Sequence, residues 1–307
     1  MQESWSRRNF LSSAAAATIA ANMVPLSAAA TDTAASKTVA AKKNSLCVFT
    51  KPFNSLTFDQ LAERIAELGF NGIEAPIRKG GHVEPNAVPD ELPKLVDALK
   101  RRNLDITVMT SDINDPRDPL TERVLSVAAK LGIRYYRMQY FKYNESKPIA
   151  SQITEWHKQM VELAALNKQL GMTAVYQNHA GRNYFGAGIW DLHIGLDGID
   201  PTEVGVAYDI RHAAAEGGMS WPIPFQLIRP HVQVVYVKDF IWENSKLVNV
   251  PLGKGQVDPK FFSMLKASKF DGPISLHEEY LDHKDPALVP EHLTAIRDDL
   301  ATLKSWL

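Results

Sequence analysis

From Leu46 onward the chain switches repeatedly between two hydrophobic periods. Short runs rich in β-branched and apolar residues, such as Leu46–Thr50 and Ile106–Thr110, alternate with longer segments whose apolar residues recur at three- and four-residue steps. The segment Thr57–Leu68 shows the second pattern: Thr57 is a capping residue, Leu61, Ile65 and Leu68 share a face, and Gly69 follows as a stop. Strands are predicted at 46–50, 72–75, 106–110, 133–139, 173–177, 204–209, 232–238 and 274–279. Helices are predicted at 57–68, 90–102, 119–130, 148–170, 190–196, 221–228, 259–268 and 289–303. Strand followed by helix, repeated, implies parallel strands joined by crossover helices. Eight such pairs predict an α/β chain whose residues 45–307 form a single (βα)8 barrel, with Ser220–Pro224 and Phe240–Leu252 as loops over its mouth. The competing open sheet lacks its signature. No Gly-x-Gly-x-x-Gly follows the first strand and no Gly-x-x-x-x-Gly-Lys-Ser/Thr occurs, so no nucleotide cofactor is expected.

The first residues carry a different pattern. Ser6-Arg7-Arg8-Asn9-Phe10-Leu11 is a twin-arginine sequence, followed by an Ala-rich apolar stretch to Met23 and a small-residue site at Ala28-Ala29-Ala30. In that order these features predict a bacterial Tat signal over residues 1–30, a linker over 31–44, and the Tat translocase as a transient partner. The expected location is periplasmic or otherwise extracytoplasmic. Elsewhere no apolar run reaches the roughly 20 residues of a membrane span.

Charge narrows the partners. Lys+Arg total 34 against Asp+Glu 35, so there is no basic excess to displace counterions from a phosphate backbone, and nucleic acid is not an expected partner. The single cysteine, Cys47, cannot form an intrachain disulfide and sits in a predicted strand as a small buried hydrophobe.

In a (βα)8 barrel the chemistry collects at the C-terminal ends of the strands. These ends carry Glu74, Arg137-Met138-Gln139, Gln177-Asn178-His179, Asp209-Ile210-Arg211-His212, Tyr236-Val237-Lys238-Asp239 and His277-Glu278-Glu279-Tyr280. Strand side chains alternate, which puts Gln177 with His179, Tyr236 with Lys238, and His277 with Glu279. With those faces inward, the mouth gathers His179, Asp209, Lys238, His277 and Glu279, a set suited to holding a divalent metal or to moving protons. Glu278 points away from that face, and Asp191 and His193 fall on a predicted helix as solvated residues. Tyr136, Tyr140, Phe141, Tyr143, Trp221 and Trp242 are read either as stacking faces for a sugar ring or as packing.

At these residues the chain resembles the xylose-isomerase-like TIM-barrel family of sugar phosphate isomerases and epimerases. The carriers are Leu68-Gly69-Phe70-Asn71-Gly72-Ile73-Glu74, Asn178-His179, Tyr208-Asp209-Ile210-Arg211-His212, Val237-Lys238-Asp239, Pro251-Leu252-Gly253-Lys254-Gly255-Gln256-Val257-Asp258 and Gly272-Pro273-Ile274-Ser275-Leu276. The resemblance implies a divalent ion held by a strand-five Glu, a strand-six Asp, a strand-seven His and a strand-eight Glu, with the two glutamates moving a proton beside a sugar carbonyl. Here those positions are Gln177, Asp209, Tyr236 and His277, so only the aspartate matches. Two accounts follow: a rebuilt site for Mn, Co, Zn or Fe at Asp209, His277 and His179, or metal-free acid–base chemistry. The expected catalytic set is Glu279, Lys238, His277 and His179, with Glu74, Arg137, Gln177, His212 and Tyr236 binding a small carbohydrate.

The resemblance implies an exported isomerase or epimerase working next to the carbonyl of a sugar or keto-sugar, or a 3-keto-sugar lyase or hydratase. A phosphorylated substrate is disfavoured by export. The alternative is a non-catalytic barrel that binds a carbohydrate or a protein, favoured by the altered ligand positions. A DNA-repair endonuclease of the same superfamily is disfavoured by charge and export.

Overall fold

The computed structural model describes residues 44–307, so the predicted signal and all but the last residue of the linker lie outside the described residues. Eight parallel strands close into a barrel in the order β1-β10-β7-β6-β5-β4-β3-β2. They are β1 (Leu46–Phe49), β2 (Gly72–Pro76), β3 (Asp105–Thr110), β4 (Tyr135–Arg137), β5 (Thr173–Gln177), β6 (Val204–Asp209), β7 (Val232–Val237) and β10 (Ile274–Leu276). The helices are α1 (Phe58–Leu68), α2 (Val88–Lys100), α3 (Pro119–Lys130), α4 (Ile149–Leu170), α5 (Trp190–Gly195), α6 (Ile210–Gly217), α7 (Pro222–Ile228), α8 (Lys260–Ala267) and α9 (Val289–Trp306). None of the described helices is long and apolar enough to cross a membrane.

Local chemistry sets the element ends. Thr57 and Gln60 form a reciprocal capping box at the start of α1, and Gly69 ends it in the left-handed region at φ 79°. On the strands, alternation separates two cores. One set of side chains packs outward under the helices, while Cys47, Val108, Val175, Ala207, Val234 and Tyr236 form an apolar plug inside the barrel. Two residues further along four of these strands, the same inward face carries Thr110, Gln177, Asp209 and Lys238. The plug is therefore the floor of the mouth.

Several elements differ from the sequence expectation. Strands four and eight are shorter than expected, because Met138–Gln139 and His277–Glu279 leave the sheet. Helix α6 starts at Ile210, directly after β6, with the Asp209 side chain accepting the His212 N–H as its cap. The predicted loop Phe240–Leu252 is largely a hairpin, β8 (Asp239–Glu243) with β9 (Lys246–Val250), turned by Asn244 and Ser245 at φ 47° and 63°. Ser220–Pro224 is a helical turn leading into α7 rather than a loop.

Asp239 anchors the segment after that hairpin. Its carboxylate accepts the backbone N–H groups of Phe240, Gly253, Gly255 and Val257 at 2.8–3.0 Å. A Cβ at Gly255 would stand 2.3 Å from both the Asp239 Oδ1 and the Phe240 carbonyl oxygen. Gly255→Ala is accordingly expected to cost about 1–3 kcal/mol, seen as a lower denaturation midpoint at unchanged slope.

Candidate active site

Lys238 follows β7 and keeps its alternation, so its side chain enters the mouth. Its Nζ donates to Glu279 Oε2 at 2.6 Å and lies 3.4 Å from Asp209 Oδ2. Burial works against the ammonium, but the Asp209 and Glu279 carboxylates outweigh it and raise the pKa above the ordinary lysine value. Burial likewise opposes ionisation of Glu279, yet Lys238 and His277 hold its carboxyl well below the usual range. The pair is charged at neutral pH. Glu279 is the more open partner, with 25% of its side chain exposed against 6% for Lys238.

Beside it lies a carboxylate–imidazole dyad. Glu74, fully buried in the middle of β2, accepts from Thr110 Oγ1 (2.5 Å), Ser275 Oγ (2.7 Å) and His277 Nε2 (2.8 Å). Burial would raise its pKa, but His277 and the other donors bring it down to about 2. An ionised Glu74 only accepts, which places a proton on His277 Nε2, so the neutral form of the imidazole carries its lone pair on Nδ1. Phe49 and Tyr236 clamp the imidazole, their ring centroids 4.9 and 4.5 Å from its own.

A third group lines the opposite wall. Gln177 Oε1 accepts from Arg137 (2.8 Å) and from the Tyr140 hydroxyl (2.5 Å), while its Nε2 donates to Asp209 Oδ2 (2.7 Å). Arg137 also donates to the Tyr140 oxygen. His212 takes a hydrogen bond from Arg211 on Nδ1, leaving the proton on Nε2, which lies 3.5 Å from Asp209 Oδ2. His179 gives its Nδ1 proton to the Ala180 carbonyl and packs on Tyr184 and His212. Burial and the Lys238 charge lower its pKa to about 4, so it is a neutral imidazole with a free Nε2 lone pair at pH 7. Arg211 reaches Asn249 of the hairpin, whose amide donates to the Glu279 carbonyl, tying β9 to the mouth.

The predicted residues thus converge, but in different partnerships. Glu74, Gln177, His212 and Tyr236, expected to bind substrate, are buried beneath the mouth. Glu74 orients His277, Gln177 links Arg137 to Asp209, and the Tyr236 hydroxyl has no hydrogen-bond partner among the described residues. The proposed ion site at Asp209, His277 and His179 does not fit these donors. Gln177 and His212 engage the Asp209 oxygens, His277 Nε2 is turned to Glu74, and the Lys238 ammonium stands where a dication would be repelled. Among the described residues no group of three or more His, Cys, Asp or Glu side chains is placed to hold a metal ion.

Glu278 turns to the helix side, where it meets His292 and caps the Tyr280 and Leu281 N–H groups. Asp191 is not merely solvated: it accepts from the Tyr143 hydroxyl (2.7 Å) and the Gly186 N–H (2.9 Å). His193 is half-buried, its Nδ1 enclosed without a partner among the described residues. Of the six candidate stacking aromatics, Tyr136, Phe141 and Trp221 are buried packing, Tyr143 is tied to Asp191, and Trp242 is exposed on the hairpin. Tyr140 stands in the site. Sequence reading missed Thr110 and Ser275, whose inward parity on β3 and β10 was the available signal.

The profile of a family described as xylose isomerase-like TIM barrel matches residues 62–306. No curated protein matches the chain. Among solved structures, a 3-keto-D-glucoside 4-epimerase from E. coli is 17% identical with a TM-score of 0.64, covering 86% of this chain and 100% of its own. A D-allulose 3-epimerase from Methylomonas sp. is 16% identical with a TM-score of 0.66, covering 87% and 98%. A D-psicose 3-epimerase from Clostridium cellulolyticum H10 is 12% identical with a TM-score of 0.65, covering 85% and 98%. These likenesses share the fold.

Proposed function

Because the chain belongs to the xylose isomerase-like TIM barrel family, we propose that it is a carbohydrate-modifying enzyme that moves a proton on the carbon next to a carbonyl. The observation that carries this reading is the Lys238 ammonium, held between Asp209 and Glu279 beside the Glu74–His277 dyad. The epimerase structures that share the fold support the same class of substrate, a ketose or keto-glycoside.

In this mechanism His277 Nδ1 takes the proton from the carbon, and the C–H electron pair moves into the carbonyl, leaving an enediolate. Lys238 stabilises the oxygen where that charge develops, a contribution of several kcal/mol for a preorganised donor in a dry site. Glu74 keeps His277 in the required tautomer and stabilises the imidazolium that forms. His179, neutral at pH 7, accepts a substrate hydroxyl through Nε2. Return of the proton by His277 to the neighbouring carbon gives an isomer, and delivery of a proton from water to the other face, with His277 releasing its own to solvent, gives an epimer. Loss of a leaving group at the next carbon gives the elimination product of a 3-keto-glycoside.

The test is proton NMR in D₂O with ketoses and 3-keto-glucosides. Enzyme-dependent exchange of the hydrogen beside the carbonyl is expected, and it should survive exhaustive dialysis against a chelator, because Lys238 supplies the positive charge. Binding of these sugars without exchange would instead support the non-catalytic barrel. Exchange lost on chelation and restored by a divalent ion would move the chemistry to a metal.

The proposal includes export. Its support is the order of twin arginines, apolar stretch and small-residue site in residues 1–30. Arg7→Lys combined with Arg8→Lys is expected to retain the uncleaved protein in the cytoplasm of a Tat-competent host, read by fractionation and blotting.

A further inference from the structure

A cleft of about 680 Å³ opens onto the mouth at the ends of β1, β2, β3, β4 and β10. Its lining is unbalanced in charge. Lys51, Arg78 and Lys284 have no carboxylate within 4.0 Å among the described residues, although the whole chain carries a formal charge of only -1. The one carboxylate in the lining among the described residues, Asp112, is engaged by the Lys79 N–H (2.9 Å) and the Gln139 amide (3.4 Å). Burial lowers the pKa of both Lys51 and Arg78; Glu279 opposes this at Lys51, while Arg137 adds to it at Arg78.

Arg137 lies deeper in, where burial opposes its charge and the nearby Tyr140, Tyr236, Glu74 and Glu279 favour it. It is 6% exposed, its side-chain hydrogen bonds go to the neutral oxygens of Gln177 and Tyr140, and its Nε is enclosed with no partner among the described residues. A partly buried cation without a counterion is costly, and an anionic ligand would offset that cost. The backbone offers no phosphate cradle here. The N–H groups of Lys79, Gly80 and Gly81 are already given to Asp112, Glu84 and the Arg78 carbonyl. What remains is side-chain donors led by a guanidinium, whose planar fork matches a carboxylate.

We propose that the substrate is a sugar acid whose carboxylate is held at the rim by Arg78 and Lys51, while its carbonyl end lies at Lys238 and His277. This deepens the reading of the site as a carbohydrate-modifying centre and rests on it for the position of the carbonyl. The carboxylate supplies the counter-charge that the rim cations lack among the described residues. It also makes binding salt-dependent, because the rim is open to solvent.

Calorimetry on the mature protein with D-glucuronate, D-glucose and D-glucose 6-phosphate tests the anion preference independently of turnover. D-glucuronate is expected to bind at least tenfold tighter than D-glucose and to weaken as salt is raised. Arg78→Met and, separately, Lys51→Gln should each remove most of that preference, with circular dichroism confirming that each variant is folded. Equal binding of glucuronate and glucose, including none of either, overturns the proposal, as does a preference that both folded variants retain. Tighter, Arg78-dependent binding of the 6-phosphate overturns the carboxylate in favour of a phosphate. Failure of hydrogen exchange with preserved glucuronate preference would sink the catalytic reading alone.

Discussion

Lys238→Met is expected to lower kcat for hydrogen exchange by about 10²–10³-fold, the cost of removing one preorganised charge from a developing oxyanion. The same substitution is expected to destabilise the barrel by about 3–5 kcal/mol, because it leaves Asp209 and Glu279 in the mouth without the cation between them. The pH dependence separates this from simple loss of packing. In the wild-type protein Glu279 has a lowered pKa, so its contribution is present above the ordinary value of 4.5 and is lost as pH falls through the depressed one. Without Lys238 the largest influence holding that pKa down is gone while burial still raises it, so stability is instead expected to fall as pH rises. The gap between variant and wild type should therefore widen from pH 4 to pH 7 in urea unfolding. A gap that does not change with pH would mean that Lys238 acts through its methylenes and not its charge.

Glu74→Gln is expected to reduce kcat by roughly 10²–10⁴-fold with little change in KM, since the carboxylate is buried beneath the substrate and acts through His277. A glutamine places an amide where a pure acceptor stood, so the Nε2 proton is no longer required and the Nδ1 lone pair is no longer guaranteed. Stability should follow. Glu74 is held at about 2 against an ordinary 4.5, which contributes on the order of 3 kcal/mol above pH 5 and is lost as pH falls toward 2. The stability difference between Glu74→Gln and wild type should accordingly be largest near neutrality and close in acid. Combining Glu74→Gln with His277→Asn should cost little more kcat than His277→Asn alone, because the two residues act as one unit. Additive losses would show that Glu74 has a separate role.

Both expectations depend on pairings that join distant parts of the chain, and here sequence and structure contributed differently. Strand positions were legible because strands of a parallel barrel are buried on both faces and flanked by helix caps such as Thr57 and stops such as Gly69. Alternation then put Gln177, Tyr236 and Lys238 on the inner face, since side-chain direction along a strand is a local property. Helix α6 was hidden because its start coincides with the Asp209-Ile210-Arg211-His212 segment, read as a continuing strand end. The hairpin was hidden because Asn244-Ser245 is a weaker turn signal than a glycine-containing pair, although both residues take positive φ.

The composition of the mouth was therefore written in the sequence, but its wiring was not. His277 meets Glu74 across 203 residues because β1 lies between β10 and β2 when the barrel closes, and Lys238 meets Glu279 across 41 because β7 neighbours β10. Inside or outside is fixed residue by residue along each strand. Which inner carboxylate finds which cation is fixed only by strand order and register around the closed sheet, which no local stretch of sequence contains.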